Sequence, residues 1–549
     1  MTSLSAIPLS FAQHRLWFAD RMEGASTTYN TAHFVRLTGA LDTAALATAL
    51  ADVIGRHEPL RTVFPEVDGE PYQHVRPAPG QVPLTAVPVS GADLAAALDR
   101  AAGHTFDLAT EPPFRAELFA VAPGEHVLLV VMHHIATDGW SWGRLLRDIG
   151  TAYGARRAGH APDWPPLPVR YADYTLWQRE LLGGATGPDS VLAQELGYWR
   201  AALAGLPDEV PIAADRSRHP SGRRTGAAVP LAVDAAVHQQ VREIAASCGA
   251  TPFMVVQAGL AVLLARSGAG TDVPIGTAVA GRGDEALDDL VGFFVNTLVL
   301  RTDLAGDPTF TELVRRARAT ALDAYTHQEV PFDRVVEELN PTRVAGRHPL
   351  FQTMLVLQNN AETTPEFAGL AVRTGTVEID QAKFDLAIDL TETVDPAGAP
   401  SGIVGILSYA TDLWDATSAE QLAERFTATL AALLAAPDVP LSRVDTNTDR
   451  NRRGLAALND TAVSYPDGVS LVELFERQVV ARSGCVALVF EGVSVSFGEL
   501  DVRVNRLANF LVALGVGRGD VVGVLVPRGV EMVVALLGVL KCGAGYVPL

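Results

Sequence analysis

The stretch Val127–Ser141, which reads VLLVVMHHIATDGWS, organises the interpretation of the whole chain. Its first five residues are apolar and predict a buried strand. After Gly139, apolar residues recur every three to four positions, which predicts a helix. His133 and His134 therefore lie where a strand ends, and a turn carries Asp138 and Gly139 into the helix.

The chemistry of these residues suits a reaction site but leaves a structural role open. Imidazole titrates near neutral pH and needs a partner to fix its ring, so a histidine pair beside a carboxylate suits proton transfer. A glycine at a turn lets a backbone N–H approach a substrate oxygen. Adjacent histidines also occur as one core residue and one surface residue. Neighbouring strand residues face opposite ways, so His133 and His134 do not suit one metal ion, and no metal is expected.

Length and composition indicate a globular chain of several domains. The chain has 549 residues, of which 48% are hydrophobic and 19% charged, so about two to four domains are expected. A net charge of −20 argues against binding to nucleic acid. Three widely spaced cysteines form neither a disulfide nor a zinc pattern, which fits a cytoplasmic location. No signal peptide is expected, and the longest apolar stretches are too short to span a membrane.

Seven segments, including the histidine stretch, follow one another in the order found in a known family. They are Ile7–Phe18, Arg56–Phe64, Met132–Ser141, Tyr171–Gln178, Gly281–Arg301, His327–Asp333 and Arg347–Gln352. With the string His-His-x-x-x-Asp-Gly, they resemble the condensation domains of nonribosomal peptide synthetases. That superfamily is similar in fold to chloramphenicol acetyltransferase.

The resemblance implies an α/β fold in which two acetyltransferase-like lobes form a V-shaped pseudo-dimer. The expected ranges are 1–180 for the N-terminal lobe, 181–445 for the C-terminal lobe, 446–465 for a linker and 466–549 for a partial adenylation domain. The last range rests on Val495–Leu500 and Leu540–Leu549, which are similar to the first two adenylation motifs. It contains no glycine-rich phosphate-binding loop, so adenylation activity is expected to be absent from this fragment.

The resemblance also implies which residues carry the chemistry. His134, the second histidine of the pair, is the central catalytic residue, and His133, Asp138 and Gly139 complete the motif. His134 would position or deprotonate the attacking amine or stabilise the tetrahedral intermediate, and the sequence does not choose among these roles. The Gly139 N–H is a candidate oxyanion donor.

A second group of residues is expected to support the site. Asp138 is expected to orient the turn through a salt bridge to an arginine, with Arg282 preferred over Arg61. The segment that begins at Gly281 is expected to cross from one lobe to the floor of the other, and the loop 359–369 is a further candidate bridge. Candidates for the tunnel wall or floor are Trp140, Ser141, Phe293, Asn296 and Gln358.

The implied reaction is amide-bond formation, in which the amine of an aminoacyl thioester attacks an acyl or peptidyl thioester. Both substrates would ride on 4'-phosphopantetheine arms of an upstream donor and a downstream acceptor peptidyl carrier protein, so no cofactor is expected to bind the chain directly. The adenylation domain of the same synthetase is a further expected partner, whereas nucleic acid and membranes are not. The first segment is most similar to domains that take an L-configured donor.

Two alternatives stay open at this point. An epimerisation domain shares the histidine pair, but it is expected to follow a carrier domain, and here the start of an adenylation domain follows. A non-catalytic docking module that recruits a tailoring enzyme usually has altered histidines, whereas His133 and His134 are intact. A hydrolase is disfavoured because the chain has no Gly-x-Ser-x-Gly elbow.

Overall fold

The computed structural model describes residues 7–24, 26–182, 190–218, 225–344, 346–358, 365–377, 381–465 and 467–549. These residues form two compact units, 1–452 and 453–549. The first unit contains a five-stranded and a six-stranded sheet, and the second contains two strand pairs.

The first unit begins with elements of the expected N-terminal lobe. In chain order these are β1 (Ile7–Pro8), α1 (Phe11–Glu23), β2 (Asn30–Thr38), α2 (Thr43–Arg56), β3 (Thr62–Val63), β4 (Glu66–Val67), β5 (Glu70–Val75), β6 (Ala86–Pro88), α3 (Leu94–Ala102), β7 (Phe114–Ala122), β8 (Glu125–His133), α4 (Gly139–Arg157) and α5 (Tyr171–Leu182). The elements that follow are α6 (Val191–Ala202), β9 (Gly226–Val233), α7 (Ala235–Cys248), α8 (Pro252–Leu264), β10 (Asp272–Val279), β11 (Asn296–Asp303), α9 (Phe310–Thr326), α10 (Phe332–Leu339), β12 (Thr353–Gln358), β13 (Ala371–Thr376), β14 (Leu386–Val394), β15 (Pro400–Ala410) and α11 (Ala416–Ala435).

Strand β8 lies at the centre of the five-stranded sheet, whose order is β13-β2-β8-β7-β6. Its side chains alternate between two apolar cores, with Leu128 and Val130 on one face and Val127 and Leu129 on the other. Helices α2 and α4 contribute to the first core and α1 and α3 to the second. A strand covered on both faces reads as a continuous apolar run, so the predicted buried strand is confirmed.

The six-stranded sheet has the order β11-β10-β12-β14-β15-β9. One face of it is buried against α7, α8 and α11 through alternate side chains such as Leu386, Ile388 and Leu407. The opposite face carries the intervening residues, among them Ala387 and Asp389.

Helix α8 explains the most apolar stretch of the chain. With the π-helical turn Ala265–Ala269 it forms a segment, Pro252–Ala269, that is long and apolar enough to cross a membrane by length and composition. Two thirds of that window, 67%, is buried inside the protein, and most of its side chains belong to the core of the six-stranded sheet. The expectation that the longest apolar stretches are too short to span a membrane is therefore wrong for this segment by length and composition, and its apolar side chains form part of a core.

The chain crosses from the six-stranded sheet to the five-stranded sheet between β12 and β13. Strand β13 follows β12 of the six-stranded sheet in the chain but pairs antiparallel with β2, from Ala371 opposite Thr38 to Thr376 opposite His33. Just before it, Phe367 packs into the core around α2 and α4. The loop predicted as a bridge, 359–369, lies outside the described residues at 359–364, and its described end lies on the N-terminal lobe.

The C-terminal elements are α12 (Asp449–Asn459), α13 (Leu471–Arg482), β16 (Val486–Phe490), β17 (Val493–Ser496), α14 (Phe497–Ala513), β18 (Val521–Val524), α15 (Val530–Lys541) and β19 (Gly545–Pro548). The range predicted as a linker contains α12, a helix with no buried residue. Arginine, leucine and alanine in this range favour a helix, which explains why an exposed connection takes helical form.

Replacing Phe367 with alanine tests whether the core around α2 and α4 holds strand β13 in place. Phe367 is 3% exposed, and its ring centroid lies 5.9 Å from that of Tyr153. Loss of a buried aromatic side chain costs about 3–5 kcal/mol, so the unfolding transition of the first unit should move to lower temperature in scanning calorimetry. Val394→Ala, at a residue of β14 that is 56% exposed, is the control and should change stability by less than about 0.5 kcal/mol. Equal transitions in the two variants would contradict this anchoring.

Candidate active site

His134 occupies the 3-10 turn 134–136 that joins β8 to α4. Its Nδ1 lies 2.9 Å from the carbonyl oxygen of Thr137. A carbonyl only accepts, so Nδ1 carries the hydrogen and Nε2 is left as the basic nitrogen. The backbone N–H of His134 donates to the carbonyl of Tyr29 at 2.7 Å. The turn therefore fixes both the position and the tautomer of the ring.

His133 has a different environment from His134. It is 2% exposed, and its Nδ1 accepts a hydrogen bond of 3.2 Å from the Ile135 N–H. Burial and the charge of Lys383 lower its pKa to about 3. His133 does not line the cavity that His134 faces, so the structure does not place it with His134 at the cavity wall, and its catalytic role stays a prediction. It is the last residue of β8, and the hydrogen bond that it accepts from Ile135 supports the turn.

The imidazole of His134 is kept neutral by its surroundings. Burial is the main cause that lowers its pKa well below the usual range, and the charge of Lys383 acts in the same direction. His133 and Arg15 lower the pKa further, whereas the hydrogen bond to Thr137 opposes them. At neutral pH the ring is therefore an acceptor at Nε2.

Asp138 begins α4 and connects it to the segment that follows Gly281. Its Oδ1 accepts from the backbone N–H of Ser141 at 2.9 Å, which caps the helix. The same oxygen lies 3.3 Å from the Arg282 guanidinium, and both side chains are nearly inaccessible. Its Oδ2 accepts from the backbone N–H of Phe294 at 3.1 Å. The predicted salt bridge to Arg282 is therefore present.

One face of α4 contacts the segment that follows Gly281 and holds it in place. The Ser141 hydroxyl accepts from the Gly292 N–H at 3.1 Å, and Arg144 donates to the carbonyl of Asp288 at 3.0 Å. One turn later, Arg147 forms an ion pair with Asp289 at 2.9 Å. Residues three apart lie on one helix face, so these contacts form a single row.

Three supporting predictions are corrected by these contacts. Arg61 lies against Glu58, at 3.6 Å, and donates to the carbonyls of Gly55 and Arg76, so it is not a partner of Asp138. Ser141 is fully buried in the row on α4 and does not line the cavity.

Asn296, at the start of β11, is the third correction. Its amide donates to the carbonyls of Gln328 and Val330 at 2.7 and 2.6 Å, and its Oδ1 accepts from the Phe332 N–H at 3.0 Å. The Asn296 side chain therefore forms its hydrogen bonds with the backbone of the 328–332 loop and is not part of the cavity wall.

A cavity of about 1340 Å³ lies between the two sheets and contains the site. His134, Asp138 and Gly139 line it, together with the predicted wall residues Trp140, Phe293, and Gln358. The ring of Phe293 lies 5.6 Å from that of His134. The far wall is the open face of the six-stranded sheet, formed by Met354, Val356, Ala387, Asp389, Ile406 and Ser408.

Two cationic residues of the cavity were missed in the sequence. Lys383 places its ammonium 5.7 Å from the centroid of the Tyr29 ring, and burial lowers its pKa to about 8. The Arg15 guanidinium lies 5.9 Å from the Phe293 ring centroid and 4.0 Å from Asp333. Lys383 immediately precedes an alternating strand pattern, so the sequence offers only its lysine as a signal.

The described part of the chain holds no cluster of three or more histidine, cysteine or acidic side chains that could bind a metal ion. The cavity lining contains further ionisable side chains, among them Arg334, Glu337 and Asp389.

Comparison with known proteins identifies what this chain is similar to. A family model described as Condensation domain matches residues 4–456, and one described as AMP-binding enzyme matches 475–549. The chain is 44% identical over 544 residues to a dimodular nonribosomal peptide synthase of Bacillus subtilis, and 45% identical over 554 residues to an isonitrile lipopeptide synthase of Mycobacterium tuberculosis. Both alignments include 99% of this chain, but the chain spans only 23% and 22% of the length of the two relatives.

Solved structures share the fold. A four-domain nonribosomal peptide synthetase bound to AMP and glycine has a TM-score of 0.82 at 25% identity and covers 100% of this chain, which spans 42% of it. The X-domain from teicoplanin biosynthesis has a TM-score of 0.77 at 38% identity, over 81% of this chain and 98% of that domain. The predicted α/β fold class, acetyltransferase-like with an adenylation fragment, is confirmed; the V-shaped arrangement stays a prediction.

Replacing Asp138 with alanine should destabilise the first unit. The variant leaves Arg282 buried without its carboxylate, and breaking a buried pair costs about 3–5 kcal/mol. Soluble yield and the thermal unfolding midpoint are the measurements. Asp289→Ala removes the half-exposed partner of Arg147 and is the control, with an expected cost below about 1 kcal/mol. An Asp138 variant that was inactive but as stable as the parent chain would give this carboxylate a chemical role instead.

Proposed function

The chain belongs to the condensation-domain family, and we propose from this that its first unit forms an amide bond between two thioesters. The donor is an acyl or peptidyl thioester and the acceptor is an aminoacyl thioester, each on the 4'-phosphopantetheine arm of a carrier protein. The observation that carries the proposal is the neutral His134, with Nε2 as its basic nitrogen, in a cavity lined by both sheets.

The reaction needs little from the protein beyond placement and a proton acceptor. The acceptor nitrogen attacks the donor carbonyl carbon, a C–N bond forms, and the carbonyl oxygen becomes an oxyanion. Collapse of this adduct breaks the C–S bond, and the proton lost by nitrogen leaves with the thiol. No oxidant or other reactant is required. Confinement of both tethered substrates in one cavity supplies a high effective concentration.

His134 and Gly139 are the residues proposed to act on this adduct. Nε2 of His134 accepts a hydrogen bond from the attacking nitrogen and then its proton. Gly139 is the first residue of α4, where the backbone N–H groups have no partner within the helix and attract negative charge. Its N–H is the proposed donor to the oxyanion.

Asp138, Arg282 and Ser141 serve this arrangement indirectly. They hold the turn that carries His134 and Gly139 against the segment of the second lobe that contains Phe293 and Phe294. We propose that the two phosphopantetheine arms enter from opposite ends of the cavity, because two thioesters approaching from one side would collide. The lobe ranges 1–180 and 181–445, which the family resemblance implies, are part of the same proposal.

Partners and location follow from the reaction. Donor and acceptor carrier proteins are the proposed partners, and the second unit is proposed to be part of an adenylation domain of the same synthetase. This assembly would lie in the cytoplasm. The donor is proposed to be L-configured, because the segment from Ser10 to Trp17 is most similar to domains of that type.

Recruitment of another enzyme is the second candidate function. It is favoured by the 38% identity to an X-domain that has been solved in complex with OxyB. The intact His134, Asp138 and Gly139, which line one cavity, favour catalysis over this role. An epimerisation domain is a weaker alternative for the same residues.

Replacing His134 with alanine should lower the condensation rate about a hundredfold to ten-thousandfold, the usual contribution of a general acid–base residue. Two carrier proteins loaded with aminoacyl-pantetheine groups would be mixed with the chain, and dipeptidyl-carrier would be followed by intact-protein mass spectrometry. His160→Ala, at an exposed histidine outside the cavity, is the control. A His134 variant within a few-fold of the parent chain would contradict the catalytic assignment and favour recruitment.

Donor configuration gives an independent test of the subtype. Carrier proteins loaded with L- and D-configured forms of the same donor amino acid would be compared in the same assay. The L-donor should be condensed roughly tenfold faster or more, since a misplaced reacting carbon loses the near-attack geometry. A faster reaction with the D-donor would show that the subtype is wrong while leaving amide formation intact.

A further inference from the structure

The chain that crosses between the sheets delivers a lysine to the site. After β13 the next described residues continue along the start of β2, where Gln381 accepts from the Thr28 hydroxyl at 2.9 Å. Lys383 then lies over the Tyr29 ring, and β14 begins three residues later in the other sheet. Lys383 therefore lies where the chain passes from one lobe to the other.

Tyr29 connects this lysine to the histidine turn. Its carbonyl accepts the backbone N–H of His134 at 2.7 Å, and its ring lies 6.2 Å from that of His133. Both Lys383 and His134 line the cavity. The ammonium thus shares the reaction chamber with the imidazole and with any amine brought there.

The charged groups on this side of the cavity are mainly positive. Arg15 on α1 and Lys383 in the 381–385 segment line the same cavity as His134, whereas His133, which adjoins His134 on β8, is uncharged at neutral pH because its pKa is lowered to about 3. The turn contributes the carbonyl of Thr137, and the crossing segment contributes the apolar ring of Phe293.

Of the carboxylates that line the cavity in the described part of the chain, two lie against arginines. Asp138 is taken up by Arg282, and Asp333 lies 4.0 Å from Arg15. A positive group beside an ionisable base disfavours a second positive charge there.

The identity of this residue is informative in itself. Of the 43 lysine and arginine residues in the chain, only two are lysines, Lys383 and Lys541. Arginine stays charged at all accessible pH values, whereas a buried lysine can lose its proton. The ammonium of Lys383 is present at neutral pH and is lost as the pH rises through about 8, where a free amine no longer needs help to be neutral.

We propose that Lys383 is a positioning residue of the condensation site, whose ammonium holds both the imidazole of His134 and the attacking amine in their uncharged forms. An α-amine has a pKa of about 7.7–8.0 in water and is mostly protonated near neutral pH, yet only its neutral form attacks a thioester. A fixed cation in the chamber raises the neutral fraction without touching the reacting atoms. The amine half of the proposal rests on the proposed function, and the imidazole half does not.

The imidazole half is tested on the free chain by nuclear magnetic resonance. The chain is labelled with carbon-13 at Cε1 of its 13 histidines, and the signal of His134 is assigned by its loss in His134→Gln. On lowering the pH, the inflection of this signal should appear about one pH unit higher in Lys383→Met than in the parent chain. Lys383→Arg keeps the charge and should restore the parental curve.

The controls separate charge from packing. Lys541→Met removes the other lysine, which pairs with Glu476 and Asp501 in the second unit, and should leave the His134 titration unchanged. Lys383→Gln is a second neutral variant, used if Lys383→Met does not give the parental melting temperature. An unchanged His134 inflection in a folded neutral variant would overturn the imidazole half.

The amine half is tested by the pH dependence of single-turnover condensation with alanyl-loaded donor and acceptor carrier proteins. Lys383→Met should be slower by up to about tenfold near pH 6.5, the effect of a one-unit change in an amine pKa, and should approach the parental rate near pH 9. A loss of rate that was equal at every pH, or one that Lys383→Arg did not restore, would overturn it. If the parent chain formed no dipeptide, the proposed function would fail, and the resonance experiment would still decide the imidazole half.

Discussion

The carboxylate of Asp138 is the contact on which the arrangement of the site depends. One oxygen caps α4 and pairs with Arg282, and the other accepts the backbone N–H of Phe294. A single side chain thereby sets the end of the histidine turn and the place of the crossing segment from the second sheet. Because the pair is buried, neither partner has water as a substitute, and the two lobes are joined at the point where the cavity needs a fixed wall.

Electrostatic balance is the second constraint on the site. Asp138 lines the cavity, but its carboxylate pairs with Arg282, and the cations Arg15 and Lys383 line the cavity as well. In the described part of the chain, the ring of His134 is bonded to the carbonyl of Thr137 and to no carboxylate, unlike the histidine of a hydrolytic triad. The site is built to keep a neutral imidazole with Nδ1 bound to a carbonyl, and burial reinforces this choice.

The local features of the site could be predicted from the sequence, whereas the long-range ones could only partly be. Strand β8, the turn and the cap by Asp138 follow from an apolar run and from cap chemistry within a few residues. Arg282 was found because its motif is recognisable. Ser141 and Asn296 were misplaced because their hydrogen-bond partners, Gly292 and the 328–332 loop, are set by tertiary contacts. Lys383 was missed because nothing near it in the sequence shows that β13, which follows β12 of the six-stranded sheet, pairs with β2 of the five-stranded sheet.

A weakly basic imidazole is sufficient for the proposed chemistry. When a neutral amine adds to a thioester, the nitrogen of the adduct becomes cationic and far more acidic than the free ammonium. A base with a low pKa accepts this proton readily, and it is not itself protonated beforehand at neutral pH. The demanding requirement is to deliver the amine uncharged and to hold the developing oxyanion near backbone donors. We propose that the cations beside His134 meet the first requirement and that the start of α4 meets the second, and the lowered pKa of the histidine is consistent with its proposed catalytic role.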